Sequence, residues 1–197
     1  MTAITPLEFV HKKGIFGDHQ KKNESDLLRI SEVKNLSIIQ IVQYKRSKIN
    51  INDIKIEGLD VPTQSSKVNS NKETRILWNA PRTWLILSSK DKDNVIETVQ
   101  KSFKETDFAI TDISHSRAVI QIQGDQAKEI LKKGSPINFN EFEVNQCAGT
   151  VFHGITIIID SISSEPDTFN LLVLRSFGES FYHHITDSAL EFGYVGI

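Results

Sequence analysis

The sequence predicts an α+β fold, with antiparallel sheets, packed helices and two pseudo-duplicated ferredoxin-like halves. Two observations lead there. "TWLILSSKDKDNVIETVQKSF" and "FNLLVLRSFGESFYHHITDSAL" follow one plan: an apolar strand, a serine, a short polar link, then an amphipathic helix. Each is also preceded by a strand or hairpin, the arrangement that builds antiparallel sheet with returning helices. The two copies share pattern more than residue identity.

The elements are taken in chain order. Residues 1–30 are polar and turn-rich and read as an N-terminal arm, either a docking segment or a mobile terminus. Residues 31–197 read as one domain. The first strand is Leu36 to Tyr44, apolar on both faces and so expected to be covered on both. The stretch 61–74 is a polar loop, and "RILWN" and "TWLILSS" are strands joined through Pro81. A helix comes next, with Ile96, Val99 and Phe103 inward, Val95 on the flank, and Asp91 and Asp93 at its positive end.

Strands "FAITDIS" and "RAVIQIQ" succeed it. Gly124 makes a tight turn with Asp125 capping a short helix of inner face Ala127, Ile130 and Leu131, and Gly134 is its expected left-handed C-cap. "GTVF" and "ITIIID" form a hairpin around His153-Gly154, and "FNLLVLRS" is the last clear strand. The final helix turns Phe181, Ile185 and Phe192 inward.

Composition excludes several classes. A formal net charge of −2 gives no pull toward nucleic acid or membrane. The single cysteine, Cys147, excludes an internal disulfide, and no secretory signal or 18-residue apolar run is visible, so a soluble cytoplasmic protein is expected. Gly124 stands alone, without the further glycines of a dinucleotide loop or the Lys-Ser/Thr of a P-loop, and Asp125 places negative charge where phosphate would sit. Ser176 and Glu179 have the spacing of a capping box rather than of a nucleophile elbow. His183 and His184 diverge on a helix, and His183 with Asp187 makes only a two-residue pair. Cys147 lacks a nearby His and reads as a small buried residue, while His115 is either a partner contact or a solvated turn residue. Trp78 and Trp84 pack across two strands or stack an aromatic ligand. No catalytic constellation emerges, as expected of an accessory chain.

Four segments carry a resemblance. "ILWNAPRTWLIL" resembles a segment of form LWLGPDEWLLL in the gamma subunit of heterotetrameric sarcosine oxidase. "DISHSRAVIQIQGDQAKEILKKGSPINF" resembles that family's D-x-S-x-x-R segment and its continuation, through Asp112, Ser114, Arg117, Gly124, Ala127, Leu131, Gly134 and Pro136. "CAGTVFHGITIII" matches through Cys147, Ala148, Thr150 and Gly154. "LLVLRSFGESFYHHI" matches through Val173, Arg175, Ser176, Phe177 and Ser180, and "TPLE" near the start also fits. The chain departs from the pattern at Ala80-Pro81-Arg82-Thr83, where the family has Gly-Pro-Asp-Glu, at Asn138, and through 61–74.

The resemblance implies a fold like the folate-binding domain of aminomethyltransferases. It implies a subunit of a flavoenzyme that demethylates sarcosine oxidatively to glycine, with tetrahydrofolate and O2, forming methylene-tetrahydrofolate and hydrogen peroxide. FAD, FMN, NAD and tetrahydrofolate would lie in the alpha and beta subunits, and zinc in the delta subunit. The gamma chain would hold no catalytic, cofactor or metal residues and would dock chiefly on alpha. Trp78, Arg82, Trp84, Arg175 and Phe177 are the docking candidates. Two alternatives stay open. One is a free-standing folate-binding protein, although the K-G-C-Y-x-G-Q-E segment of such relatives is absent. The other is the equivalent subunit of a dehydrogenase for another N-methyl amino acid, such as N-methylglutamate.

Overall fold

The computed structural model describes residues 4–197, so the first three residues of the expected arm lie outside the described residues. In chain order the strands and helices begin with β1 (Gly14–Phe16), β2 (Leu28–Glu32), β3 (Ser37–Gln43), β4 (Lys55–Ile56), β5 (Leu59–Asp60) and β6 (Val68–Ser70). They continue with β7 (Thr74–Ala80), β8 (Thr83–Ser88), α1 (Lys92–Ser102), β9 (Phe108–Asp112), β10 (Arg117–Gln123) and α2 (Ala127–Gly134). The last are β11 (Cys147–Phe152), β12 (Ile155–Ser164), β13 (Asp167–Leu174), α3 (Gly178–Ala189) and β14 (Tyr194–Gly196). The described residues form two compact units: one of residues 4–34, 116–144 and 148–197, the other of residues 35–115 and 145–147.

The first unit holds a seven-stranded sheet in the order β1-β14-β2-β10-β13-β12-β11. β10, β12, β13 and β14 have the order of a ferredoxin-like half, with β2 inserted between its first and fourth strands. β2 runs parallel to β14 and antiparallel to β10. Ile120, Ile122, Phe169 and Leu171 meet Ile130 and Leu131 of α2 and Phe181 and Ile185 of α3 in one core. Each large apolar side chain buried this way contributes about 1.5–3 kcal/mol.

The second unit holds a five-stranded sheet in the order β6-β7-β8-β3-β9. β3, β7, β8 and β9 repeat the ferredoxin-like order without an inserted strand. α1 lays Val95 and Val99 on this sheet, and Phe103, just past its end, is 1% exposed. The inner stripe is therefore Val95–Val99–Phe103, with Ile96 partly buried beside it. Asp91 caps α1 by accepting from the Asp93 N–H, as its charge and position predict.

Several expectations are corrected. The polar lead-in supplies β1 and β2, and Leu28 and Ile30 enter the core. The stretch 61–74 carries β6, paired with β7. A further strand, β14, comes after the last helix, which ends at Ala189. Gly134 is not a left-handed cap, since it is the last residue of α2, without a positive φ, and Ser135 continues in extended conformation. Its missing side chain serves packing: a Cβ there would meet the Phe152 and His153 rings at 2.9 Å. Asp125 caps nothing, because Gln126 holds the N-cap position without a side-chain bond. The Ser176–Glu179 capping box is also absent. Arg175–Phe177 form a 3₁₀ turn, so α3 begins at Gly178 and its N-cap is Phe177. The His153-Gly154 turn is as expected, with both φ angles positive at 46° and 82°.

Candidate partner-docking surface

The β7–β8 hairpin of the second unit holds three candidates. Trp78 and Trp84 lie directly opposite each other in the ladder. Trp84 is 3% exposed, and its Nε1–H donates to the Pro62 carbonyl at 2.7 Å. A buried indole needs such an acceptor, and this one fixes Trp84 in the core, off the surface. Trp78 is only partly buried against the same core. The ladder slips between Trp78 and Ala80, a bulge that bends the strand into the turn. Arg82 sits in that turn with a left-handed φ of 60°. Its carbonyl accepts from the Gln43 N–H, and its exposed guanidinium donates to the Tyr44 carbonyl at 3.1 Å.

The β13–α3 corner of the first unit holds the other two. Phe177 is 48% exposed, and Arg175 Nη2 donates to the Ile4 carbonyl at 2.6 Å. Ile4 and Leu174 are exposed beside them. Gly178 lets the start of α3 approach β10, since a Cβ there would lie 3.1 Å from the Ala118 Cβ. Arg117 faces Leu174 across the β10–β13 ladder. Its Nε is buried without a hydrogen-bond partner among the described residues, and burial pulls its guanidinium below the usual range. In the sequence Arg117 is only a motif position; nothing in "HSRAV" signals an unpaired buried donor.

The other motif residues are structural. Asp112 accepts from the Ser114 N–H at 2.9 Å and from its hydroxyl at 2.6 Å, and Ser114 Oγ accepts from the Ile38 N–H. This ties the ends of β3 and β9 together. Burial pushes the Asp112 carboxyl up, but the bonds from Ser114 and Lys92 outweigh it and hold it below its ordinary range. Gly124, with φ of 136°, makes a tight turn in which its N–H reaches the Asp167 carbonyl. The open depression beside it is lined by Asp26 and Asp125 as well as Arg29, and bonds from Asn23 and Ser25 keep Asp26 ionised. That lining repels a phosphate.

Chemical candidates stay dispersed. Cys147 is buried and reduced, and its thiol donates to the Trp78 carbonyl at 3.1 Å. His183 lies 4.0 Å from Glu179, while His184 sits against the His153 ring at 5.2 Å. Among the described residues no group of three or more His, Cys, Asp or Glu is arranged to hold a metal ion. Among the described residues no helix is long and apolar enough to cross a membrane.

The geometry therefore defines a module of two ferredoxin-like halves, in which Arg82, Arg175 and Phe177 are exposed and Trp84 is buried. The chain belongs to the sarcosine oxidase, gamma subunit family, whose profile matches residues 51–191. It is 25% identical over 138 residues to sarcosine oxidase subunit gamma of Corynebacterium sp. strain U-96, and equally to that of strain P-1. Each match covers 68% of this chain and 66% of the relative, just under two thirds of its length. The fold is similar to that of a chain of heterotetrameric sarcosine oxidase from Corynebacterium sp. U-96 in complex with pyrrole 2-carboxylate. There the TM-score is 0.76 at 21% identity, covering 86% of this chain and 90% of that one. It is also similar to glycine cleavage system aminomethyltransferase T from Bartonella henselae, with TM-score 0.66 at 12% identity, over 98% of this chain and 60% of that one.

Proposed function

We propose that this chain is the non-catalytic gamma subunit of a heterotetrameric sarcosine oxidase, docked chiefly on the alpha subunit with beta and delta as further partners. Family membership carries this reading. In this reading the flavins, NAD, tetrahydrofolate and zinc belong to the partners. The complex would oxidise the N-methyl group of sarcosine in the cytoplasm. Trp78, Arg82, Arg175 and Phe177 are the docking residues proposed, the last three because they are exposed.

The test is affinity purification of this chain from its native cell, with mass spectrometry and a visible spectrum of the eluate. A yellow complex containing large flavoprotein chains that oxidises sarcosine supports the reading. Oxidation of N-methylglutamate alone would move the subunit to a related dehydrogenase, and a colourless lone chain would overturn the role. A second reading, free-standing folate binding, draws on the likeness to aminomethyltransferase T along 98% of the chain. Saturable tetrahydrofolate binding by the isolated chain would favour it.

A further inference from the structure

The β13–α3 corner combines features that a self-sufficient surface avoids. Arg117 Nε is buried and has no acceptor among the described residues. A buried donor left unmade is costly, the more so on a charged group, and native proteins rarely keep one without a use. Cross-strand from it is Leu174, 41% exposed, and on the turn after that stand Arg175 and Phe177, the latter 48% exposed. Ile4, 59% exposed, is held there by the bond from Arg175 to its carbonyl. That bond ends on a neutral carbonyl, and no carboxylate pairs with Arg175 among the described residues. The corner thus offers three exposed apolar side chains around two cations. This composition matches the anchors of protein interfaces, where Arg and aromatic side chains dominate and acquire their partners on docking.

We propose that this corner receives a segment of a partner protein that places a carboxylate on Arg117 and an apolar side chain against Leu174 and Phe177. The occupant is acidic at its centre because a guanidinium Nε can only donate, and carboxylate is the acceptor whose geometry matches its fork. The inference rests on the subunit reading and adds where the partner binds and by what chemistry. It also orders the candidates: the β7–β8 hairpin, whose Arg82 is tied to the Tyr44 carbonyl, is secondary.

The experiment uses the full chain and its co-purified alpha-type partner. Affinity is measured for the wild type, Arg117→Gln, Phe177→Ser and Arg117→Lys, with thermal midpoints of each free chain. Arg117→Gln is expected to weaken binding by about thirtyfold, as loss of a desolvated charge pair does, and to reduce the salt dependence. Phe177→Ser weakens it by about tenfold. The midpoint of the free Arg117→Gln chain does not fall, because the guanidinium Nε makes no bond there; a purely structural arginine would lose stability. With Arg117→Lys, carbodiimide coupling of the complex gives an amide between residue 117 and an Asp or Glu of the partner. If wild type binds and Arg117→Gln binds equally, with no coupling at position 117, this inference falls and the subunit reading survives. If wild type finds no flavoprotein partner, both fall.

Discussion

The two halves solve the same sheet in different ways. Each sets four strands in the ferredoxin-like order, and each sends a helix across before the fourth strand, α1 in one and α3 in the other. They differ in the connection between the first and second strands. In the first unit that connection carries α2, which packs beside α3 and supplies Ala127, Ile130 and Leu131. In the second unit it carries no α-helix. The β4–β5 hairpin and its flanks take that place, and Ile51, Ile54, Ile56, Leu59 and Val61 reach the core beside α1. A sheet face must be covered, but what covers it can be a helix or a short hairpin of equal apolar volume. Polar bonds also hold the hairpin: Glu57 accepts from the Thr74 hydroxyl at 2.7 Å and from Lys90 Nζ at 2.6 Å.

The comparison can be broken by mutation. Phe181→Ala in the first unit and Phe103→Ala in the second remove large side chains that are 0% and 1% exposed. Each is expected to cost about 3–5 kcal/mol in urea unfolding. A much smaller loss for Phe103→Ala would show that the hairpin-covered half is loosely packed. Ile56→Ala tests the hairpin itself, with an expected loss of about 2–4 kcal/mol; near-zero loss would mean that the hairpin is decoration.

Gly134→Ala sharpens the contrast from the helical side. In an ordinary helix interior the change stabilises, by about 1 kcal/mol. Here the new methyl meets two rings at 2.9 Å, and overpacking is expected to reverse the sign, for a net loss of about 1–2 kcal/mol. A rise in thermal midpoint would refute the packing explanation.

The smallest effect is acid sensitivity of the second half. Burial pushes Glu57 up, but the bonds from Lys90 and Thr74 outweigh it and hold the carboxyl below 4.5; Asp112 lies below 3.8 because the Ser114 and Lys92 bonds outweigh its burial. A carboxylate whose folded pKa is lowered adds stability at pH above its unfolded value, and that stability is lost as pH falls through the folded one. Both tryptophans belong to the second unit, so their fluorescence reports it. Urea midpoints read this way should hold from pH 7 to about 5 and decline below 4.5. Glu57→Gln should flatten that decline, and an unchanged slope would exclude the network as its cause.

Much of this was legible in the sequence because long apolar runs leave few choices. "TWLILS" and "RAVIQIQ" could only be buried strands, and the strand–link–helix repeat exposed the duplicated plan. The unread elements are short. β1, β6 and β14 have three residues each, too few for a period of two to stand out from turn sequence. "LRISE" shows its alternation at only two apolar positions, and its place beside β14 is set by partners distant in sequence. Local rules misplaced Gly134 because a ring contact distant in sequence governs it, and Ser176 because it lies within the 3₁₀ turn that precedes α3. Trp84 stands in a segment resembling the family's and was a docking candidate, yet strand alternation put it inward. Arg117 was invisible as a candidate, since an unpaired donor is a property of the packed chain.

The most direct measurement is native mass spectrometry of the assembly purified through this chain, followed by its dissociation into subunits. The expected result is one copy of this chain with three different chains, and a released gamma subunit whose mass carries no flavin or folate. A lone chain, a homo-oligomer, or a released chain carrying bound flavin or folate would contradict the accessory-subunit assignment.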